Sequence, residues 1–121
     1  MIPVDQRTDT DCLRACVASL LTVPYYDIPN FDILPGQWLR FDRFMELQSV
    51  RPVAIPAEKF CVPYNAYYLM QGISPRDIRH SVIGLNGKMV HDPHPSRAGL
   101  ETIEQYIIFV VFLHAVGMED D

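Results

Sequence analysis

The sequence predicts an α+β fold in which two helices come first and an antiparallel β-sheet follows. Two segments in the first half carry apolar residues at helical spacing. The second half carries a hairpin signal and a long run of β-branched and aromatic residues. Helices that precede the strands are typical of the α+β class. With 121 residues the chain has the length of one domain, residues 1–121, and can bury a single core.

The first predicted helix begins after Thr8-Asp9-Thr10, because these side chains are typical helix N-caps. The following apolar residues recur at the spacing of one helix face, and Thr22-Val23-Pro24 ends the run since proline cannot continue a helix. This apolar face consists of Leu13, Cys16, Val17, Leu20 and Leu21.

The middle of the chain is predicted as a loop, a second helix and two short strands. Residues 25–36 are rich in proline, aspartate and asparagine, which is typical of a loop. Residues 37–48 are predicted as the second helix, and residues 52–56 and 66–70 as the strands. The buried side of the second helix is predicted to carry Trp38, Phe41, Phe44 and Met45.

The last part of the chain is predicted as a hairpin and a long strand. Residues 80–92 form the hairpin around the turn sequence Gly84-Leu85-Asn86-Gly87-Lys88. Residues 103–114, rich in β-branched and aromatic side chains, are predicted as one mostly buried strand.

The register of this hairpin decides whether His80 and Asp92 lie on the same face of the sheet. A two-residue turn at Asn86-Gly87 pairs Leu85 with Lys88 and places the two side chains on opposite faces.

A three-residue loop closed by Gly87 in the left-handed conformation shifts the pairing by one residue. His80 then lies directly across from Asp92, with the Cβ atoms about 4.5–5.5 Å apart. The sequence fits both loops. We expect the three-residue loop, because it also pairs Val82 with Val90 towards a core.

Composition and charge narrow the classes of function. The chain is 49% hydrophobic and 21% charged, which is ordinary for a folded globular protein. Its net charge of -5 argues against nucleic-acid binding, which needs clustered lysine and arginine. Three cysteines, an odd number, predict free thiols in a reducing compartment. Residues 1–5 lack a basic signal-peptide region, and the apolar run 106–113 is too short to span a bilayer. We expect a cytoplasmic protein with neither membrane contact nor a cofactor.

Cys12 is the candidate nucleophile, since the unpaired N–H groups and dipole of a helix start lower a thiol pKa from about 8.5. An imidazolium at His80 would lower it further, and Asp92 would fix the imidazole tautomer. Gln6, six residues before Cys12, can present its amide to a carbonyl oxygen under attack. Together with the Cys12 backbone N–H, it would form an oxyanion hole.

Two other interpretations of these residues are open. Cys12 can be an ordinary buried helix residue, as Cys16 is predicted to be, and Cys61 is predicted to be structural. A zinc site is disfavoured, because two cysteines four residues apart within a helix suit zinc poorly and His91 faces away from His80. The residues of such a site would be Cys12, Cys16, His80, His91 and His94.

Gln6-x5-Cys12, His80 and Asp92-Pro93 together resemble the papain-like cysteine peptidase superfamily. The resemblance is in particular to small bacterial and phage proteins related to the C39 (bacteriocin-processing) peptidases. It implies a papain-like fold, with the cysteine-bearing helix packed on an antiparallel sheet and the site between them. Two features depart from the pattern: Leu13 stands where glycine usually follows the nucleophile, and the chain is short for the superfamily.

The leading hypothesis is a thiol hydrolase or acyl transferase that attacks an amide carbonyl of a peptide or protein substrate. Cys12 would be the nucleophile, His80 the base and Asp92 its orienter, with Gln6 in the oxyanion hole. The alternative is a non-catalytic papain-like protein that binds a partner, for instance a phage-encoded protein acting on a host protein. Occlusion of the thiol by Leu13 would favour that alternative. Candidates to line a substrate cleft are Leu13, Tyr25, Tyr26, Phe31 and Trp38.

Overall fold

Two α-helices precede a five-stranded antiparallel sheet in the computed structural model, which describes residues 1–31, 35–61 and 64–112. This arrangement confirms the predicted α+β class. The strands lie in the order β1-β5-β2-β3-β4, and every neighbouring pair is antiparallel. The helices are α1, Cys12–Leu21, and α2, Gln37–Leu47; the strands are β1, Val50–Pro56, β2, Tyr68–Ile73, β3, Arg79–Leu85, β4, Lys88–His91, and β5, Thr102–Val111.

The turn before α1 is held by Asp11 rather than by the predicted caps. Its carboxylate accepts hydrogen bonds from the backbone N–H groups of Arg7 and Thr8, at 2.8 and 2.9 Å. The helix ends at Thr22, which takes the left-handed conformation and donates its N–H to the Ala18 carbonyl. These two turns fix where the helix starts and stops.

The two faces of the sheet support separate apolar clusters. Helix α1 packs on one face against Leu69, Ile83 and Ile107, and α2 joins the same cluster. The opposite face buries Tyr68, Met70 and Val82 under aromatic side chains. Because successive strand residues point to opposite faces, both sides of β2 and β3 are apolar. The aromatic side chains on the second face are Phe60, Tyr64 and Tyr106.

The structure adjusts the predicted boundaries. Strand β1 begins at Val50, two residues before the predicted start, and includes Pro52, which is tolerated because β1 is an edge strand. Strand β2 starts at Tyr68 and continues to Ile73, beyond the predicted end. Residues 25–27 of the predicted loop form a short 3-10 turn. The last two residues of the predicted strand 103–114, and residues 32–34 of the loop, lie outside the described residues.

The predicted hairpin register is wrong. A two-residue turn closes the hairpin, with Leu85 paired to Lys88 and positive φ at Asn86 and Gly87, as a type I′ turn requires. This turn alone would place His80 and Asp92 on opposite faces.

A β-bulge one residue pair further along brings His80 and Asp92 back to the same face of the sheet. Gly84 pairs with Met89, but the next pair joins Ile83 to His91, so Val90 is an extra residue on β4. One extra residue reverses the faces of everything that follows it. Asp92, directly after β4, is thereby brought to the side on which His80 lies.

A second irregularity lies beside His80 itself. The β2–β5 register shifts between Gln71 and Gly72, and Gly72 is the residue paired with His80. A Cβ atom at Gly72 would stand 1.9 Å from the Thr102 carbonyl oxygen, so only glycine allows this close approach. The sheet therefore bends at the position of His80.

We expect Leu69→Ala to lower the free energy of unfolding by about 2–5 kcal/mol, because Leu69 is fully buried between α1 and the sheet. Urea denaturation measures this change. Leu47→Ala is the matched control, and since Leu47 is 78% exposed its effect stays within about 0.5 kcal/mol. Equal losses in the two variants would contradict this account of the core.

Candidate active site

A buried hydrogen-bonded pair, His80 and Asp92, is the centre of the candidate site. Nε2 of His80 lies 2.7 Å from Oδ1 of Asp92, and the two side chains are 2% and 0% exposed. The carboxylate also accepts the backbone N–H groups of His94 and Gly99, at 2.9 and 2.7 Å. Since an ionised carboxylate only accepts hydrogen bonds, Nε2 donates, and Nδ1 is left as the basic nitrogen of the neutral ring.

The charges of this pair follow from its surroundings. Burial alone would raise the pKa of Asp92, but the hydrogen bonds from His80, His94 and Gly99 hold that pKa below its ordinary value. Burial lowers the pKa of His80, and this effect outweighs the upward pull of Asp92. The charges of Arg76 and His94 lower it further. Near neutral pH the pair is therefore a neutral imidazole beside a carboxylate, and an imidazolium that would lower the thiol pKa of Cys12 is disfavoured.

The loop after β4 and the N-terminal segment hold Asp92 in place together. The guanidinium of Arg97 donates to both carboxylate oxygens of Asp5, at 2.7 and 2.8 Å, and to the Asp92 carbonyl. The Gln6 N–H donates to the Pro93 carbonyl at 2.9 Å. The residues that lead into α1 are thus fastened to the loop that positions the carboxylate.

Cys12 is the first residue of α1, and its half-buried side chain and His80 line one cleft. The cleft lies between the start of both helices and the neighbouring ends of β2, β3 and β5. Its volume is about 990 Å³, within the range of about 300–1,000 Å³ that is usual for small-molecule sites. A segment of peptide or a comparable ligand fits such a space.

Cys16 is the buried thiol of α1. Its Sγ donates to the Ser81 carbonyl at 3.5 Å, and the side chain is fully buried. Burial raises the pKa of this thiol well above its ordinary value, and the charges of Cys12 and Asp92 raise it further.

The three cysteines occupy different environments. Cys16 is buried in the core as predicted, Cys61 is exposed, and Cys12 is half-buried at the cleft. Cys12 therefore combines access from the cleft with proximity to the start of a helix.

Gln6 is buried beside the site, but its amide is turned towards its own segment. Nε2 donates to the Thr8 carbonyl at 2.7 Å, and Oε1 is buried without a partner among the described residues. Gln6 is not among the residues that line the cleft. A role in an oxyanion hole would require the amide hydrogen that is not bonded to Thr8 to donate to the substrate carbonyl oxygen.

The candidate cleft residues divide into two groups. Leu13 and Trp38 line the cleft, with Leu13 1% exposed at its inner side and Trp38 45% exposed at its rim. Phe31 is fully buried, and its ring packs edge-on against Phe41 of α2. Tyr25 and Tyr26 do not line the cleft.

Tyr25 instead stabilises the turn before α1. Its hydroxyl donates to the Asp11 carboxylate, and burial together with this bond raises its pKa to about 12. Tyr26 is 73% exposed, and the guanidinium of Arg7 lies over both tyrosine rings.

Sequence reasoning missed a polar chain along the cleft. Nε2 of Gln105 donates to Oε1 of Gln71 at 2.7 Å, and Nε2 of Gln71 donates to Oγ of Ser81 at 2.9 Å. A glutamine inside an otherwise apolar strand is a signal for such a chain, because a polar group in a sheet interior needs a hydrogen-bond partner. Arg76 and His94, which also line the cleft, gave no comparable signal.

The residues considered for zinc are not brought together. His91 bonds through Nε2 to the Val4 carbonyl at 2.8 Å, away from His80. Within residues 1–31, 35–61 and 64–112, no group of three or more histidine, cysteine or acidic side chains is arranged to hold a metal ion. In the same part of the chain, no helix has both the length and the apolar character needed to cross a bilayer.

Comparison with protein-family models, with curated proteins and with solved structures gave no match for this chain. The interpretation of the site therefore depends on its geometry and chemistry.

We expect His80 to titrate below the ordinary histidine value of about 6.5, because burial disfavours the imidazolium. Asp92→Asn should lower the midpoint further, since the carboxylate is the group that raises it. NMR titration of the imidazole carbon-bound protons measures both midpoints. A wild-type midpoint above 6.5, or a higher one in Asp92→Asn, would contradict the neutral state assigned to this ring.

Proposed function

We propose that the protein is a thiol-dependent hydrolase or acyl transferase with a papain-like arrangement, acting on the amide carbonyl of a peptide or protein. The observation that carries the proposal is that His80, buried and bonded to Asp92, lines the same cleft as Cys12 at the start of α1. Nucleophile, base and orienter are the three groups that thiol catalysis needs.

The reaction begins with proton transfer from the Cys12 thiol to Nδ1 of His80, whose Nε2–H stays bound to Asp92. The sulfur then forms a bond to the substrate carbonyl carbon, and the carbonyl oxygen takes the negative charge. The imidazolium gives its proton to the leaving amine as the C–N bond breaks, which leaves a thioester on Cys12. Water or a second amine attacks the thioester, and His80 takes and returns the proton again.

The charge on the carbonyl oxygen needs donors near the start of α1. The backbone N–H of Cys12 lies at the positive end of the helix dipole, and we assign it the first of these roles. Gln6 would supply the second donor only after its amide turns from the Thr8 carbonyl towards the cleft, which Gln6 does not line in this structure. A donor of this kind typically contributes about 2.7–4 kcal/mol to transition-state stabilisation.

A test of the proposal compares alkylation of the three thiols by iodoacetamide, with each site quantified by mass spectrometry. Cys12 should react at least about tenfold faster than the exposed Cys61 at pH 7, because His80 removes its proton. Cys16 should remain unlabelled until the protein is denatured, since it is fully buried.

The matched variant is His80→Gln, which should remove the advantage of Cys12 and leave the rate at Cys61 unchanged. Cys61 thereby serves as an internal reference for reagent and pH. Equal rates at Cys12 and Cys61 in the wild-type protein would overturn the proposal.

A non-catalytic binding protein is the second candidate, and the orientation of Gln6 towards Thr8 is the observation that favours it. Occlusion of the thiol by Leu13 does not support it, because Leu13 packs into the core while Cys12 keeps some exposure. An electrophilic activity-based probe distinguishes the two. Covalent capture at Cys12 that is lost in Cys12→Ala supports the enzyme, whereas a folded protein that captures no probe supports the binding protein.

A further inference from the structure

Arg76 occupies a fixed position in the turn between β2 and β3. Its backbone N–H donates to Oγ of Ser74 at 3.2 Å, and Ser74 itself bonds through its N–H to the Ile78 carbonyl. The turn thus directs the arginine side chain along one wall of the cleft, where Cys12 and His80 also lie.

The guanidinium of Arg76 leaves most of its donors unused. Nη1 donates to Oγ of Ser96 at 3.0 Å. Nε and Nη2 are buried and have no hydrogen-bond partner among the described residues. Buried donors without partners are rare in folded proteins, because each loses its water without gaining a replacement. The Nε–Nη2 edge of the guanidinium can therefore bind an acceptor that the described residues do not supply.

The other arginine of the cleft, Arg79, already has an ion-pair partner. Arg79 forms an ion pair with Glu104, so its charge is balanced within the sheet. For Arg76 no carboxylate partner lies within ion-pair distance in the described part of the chain. Its charge instead acts on the site, where it contributes to the lowered pKa of His80.

We propose that Arg76 forms a subsite for a carboxylate group of the substrate, close to the amide that Cys12 attacks. The inference rests on the proposed function and adds a substrate class, namely peptides with an acidic side chain or a terminal carboxylate beside the reacting bond. Nε and Nη2 present two parallel N–H donors, which match the two oxygens of one carboxylate. The bond to Ser96 is exposed, so the guanidinium can give it up when it turns this edge to a ligand.

The charge of the cleft favours a single negative charge over a dianion such as phosphate. Asp9 and Glu104 also line the cleft, and Glu104 is already paired. A dianion bound at Arg76 would be repelled by these carboxylates more strongly than a monoanion.

Two small alkylating agents of nearly the same size test this subsite. Iodoacetate carries a carboxylate and iodoacetamide a neutral amide. The rate of Cys12 alkylation by iodoacetate divided by its rate with iodoacetamide therefore reports on attraction of the carboxylate. The same ratio at Cys61 in the same sample corrects for reagent chemistry. In the wild-type protein the corrected ratio should exceed one, and Arg76→Gln should lower it about tenfold.

Two further variants separate charge from geometry. Arg76→Lys keeps the charge but lacks the paired donors, so its ratio should fall between wild type and Arg76→Gln. Arg79→Gln is the matched control, because it removes a cleft arginine that is already ion-paired, and its ratio should stay within about twofold of wild type.

The outcomes distinguish the two proposals. If Cys12 outpaces Cys61 with iodoacetamide but the ratio is the same in wild type and Arg76→Gln, the subsite is overturned and the proposed function stands. An equal fall in Arg76→Gln and Arg79→Gln also overturns it, since general positive charge would then explain the preference. If Cys12 reacts no faster than Cys61 with either reagent, the proposed function fails and the subsite fails with it.

Discussion

The burial of one carboxylate, that of Asp92, is the constraint on which the site depends. A buried charge costs several kcal/mol unless donors replace the lost water. Here His80 and the backbone N–H groups of His94 and Gly99 replace it. To bring these N–H groups inward, the loop after β4 curls around the carboxylate, and Gly99 takes the left-handed conformation with φ +73°. The N-terminal segment is then fastened to this loop through Arg97, so the path into α1 follows from the same charge.

The position of α1 on the sheet explains why Cys12 and Cys16, on one helix face, differ in burial. Cys12 and Cys16 are one turn apart, but the sheet covers only the second of them, whose Sγ meets the Ser81 carbonyl. The buried thiol has a raised pKa and stays protonated, whereas Cys12 remains half-buried at the cleft that His80 also lines. The neutral state of His80 suits a base that removes a proton during the reaction, because an imidazolium already formed has no free nitrogen to accept one.

The sequence allowed the helices and the class of fold to be predicted, since these depend on local periodicity and residue type. The catalytic roles of Gln6, Cys12, His80 and Asp92 stay predictions. The hairpin register was predicted wrongly, although the Asn86-Gly87 turn follows its usual local preference. The bulge at Val90 is not encoded by the turn, and it places Asp92 on the side of the sheet on which His80 lies. The contacts of Gln6 and Tyr25 with neighbouring turns escaped prediction for the same reason, because Thr8 and Asp11 become acceptors only when the turn has formed.

The polar character of the cleft argues that it is more than a gap in the packing. Gln71 follows three buried residues of β2, Tyr68 to Met70, and leucine in its place would fill the space without needing a hydrogen-bond partner. Arg76 adds two buried donors that stabilise nothing in the described residues. Buried donors without partners lower the free energy of unfolding, and proteins retain such groups mainly at functional sites, where a ligand binds them. Arg76 lines the same cleft as Cys12, and contacts among the described residues do not account for its two buried donors.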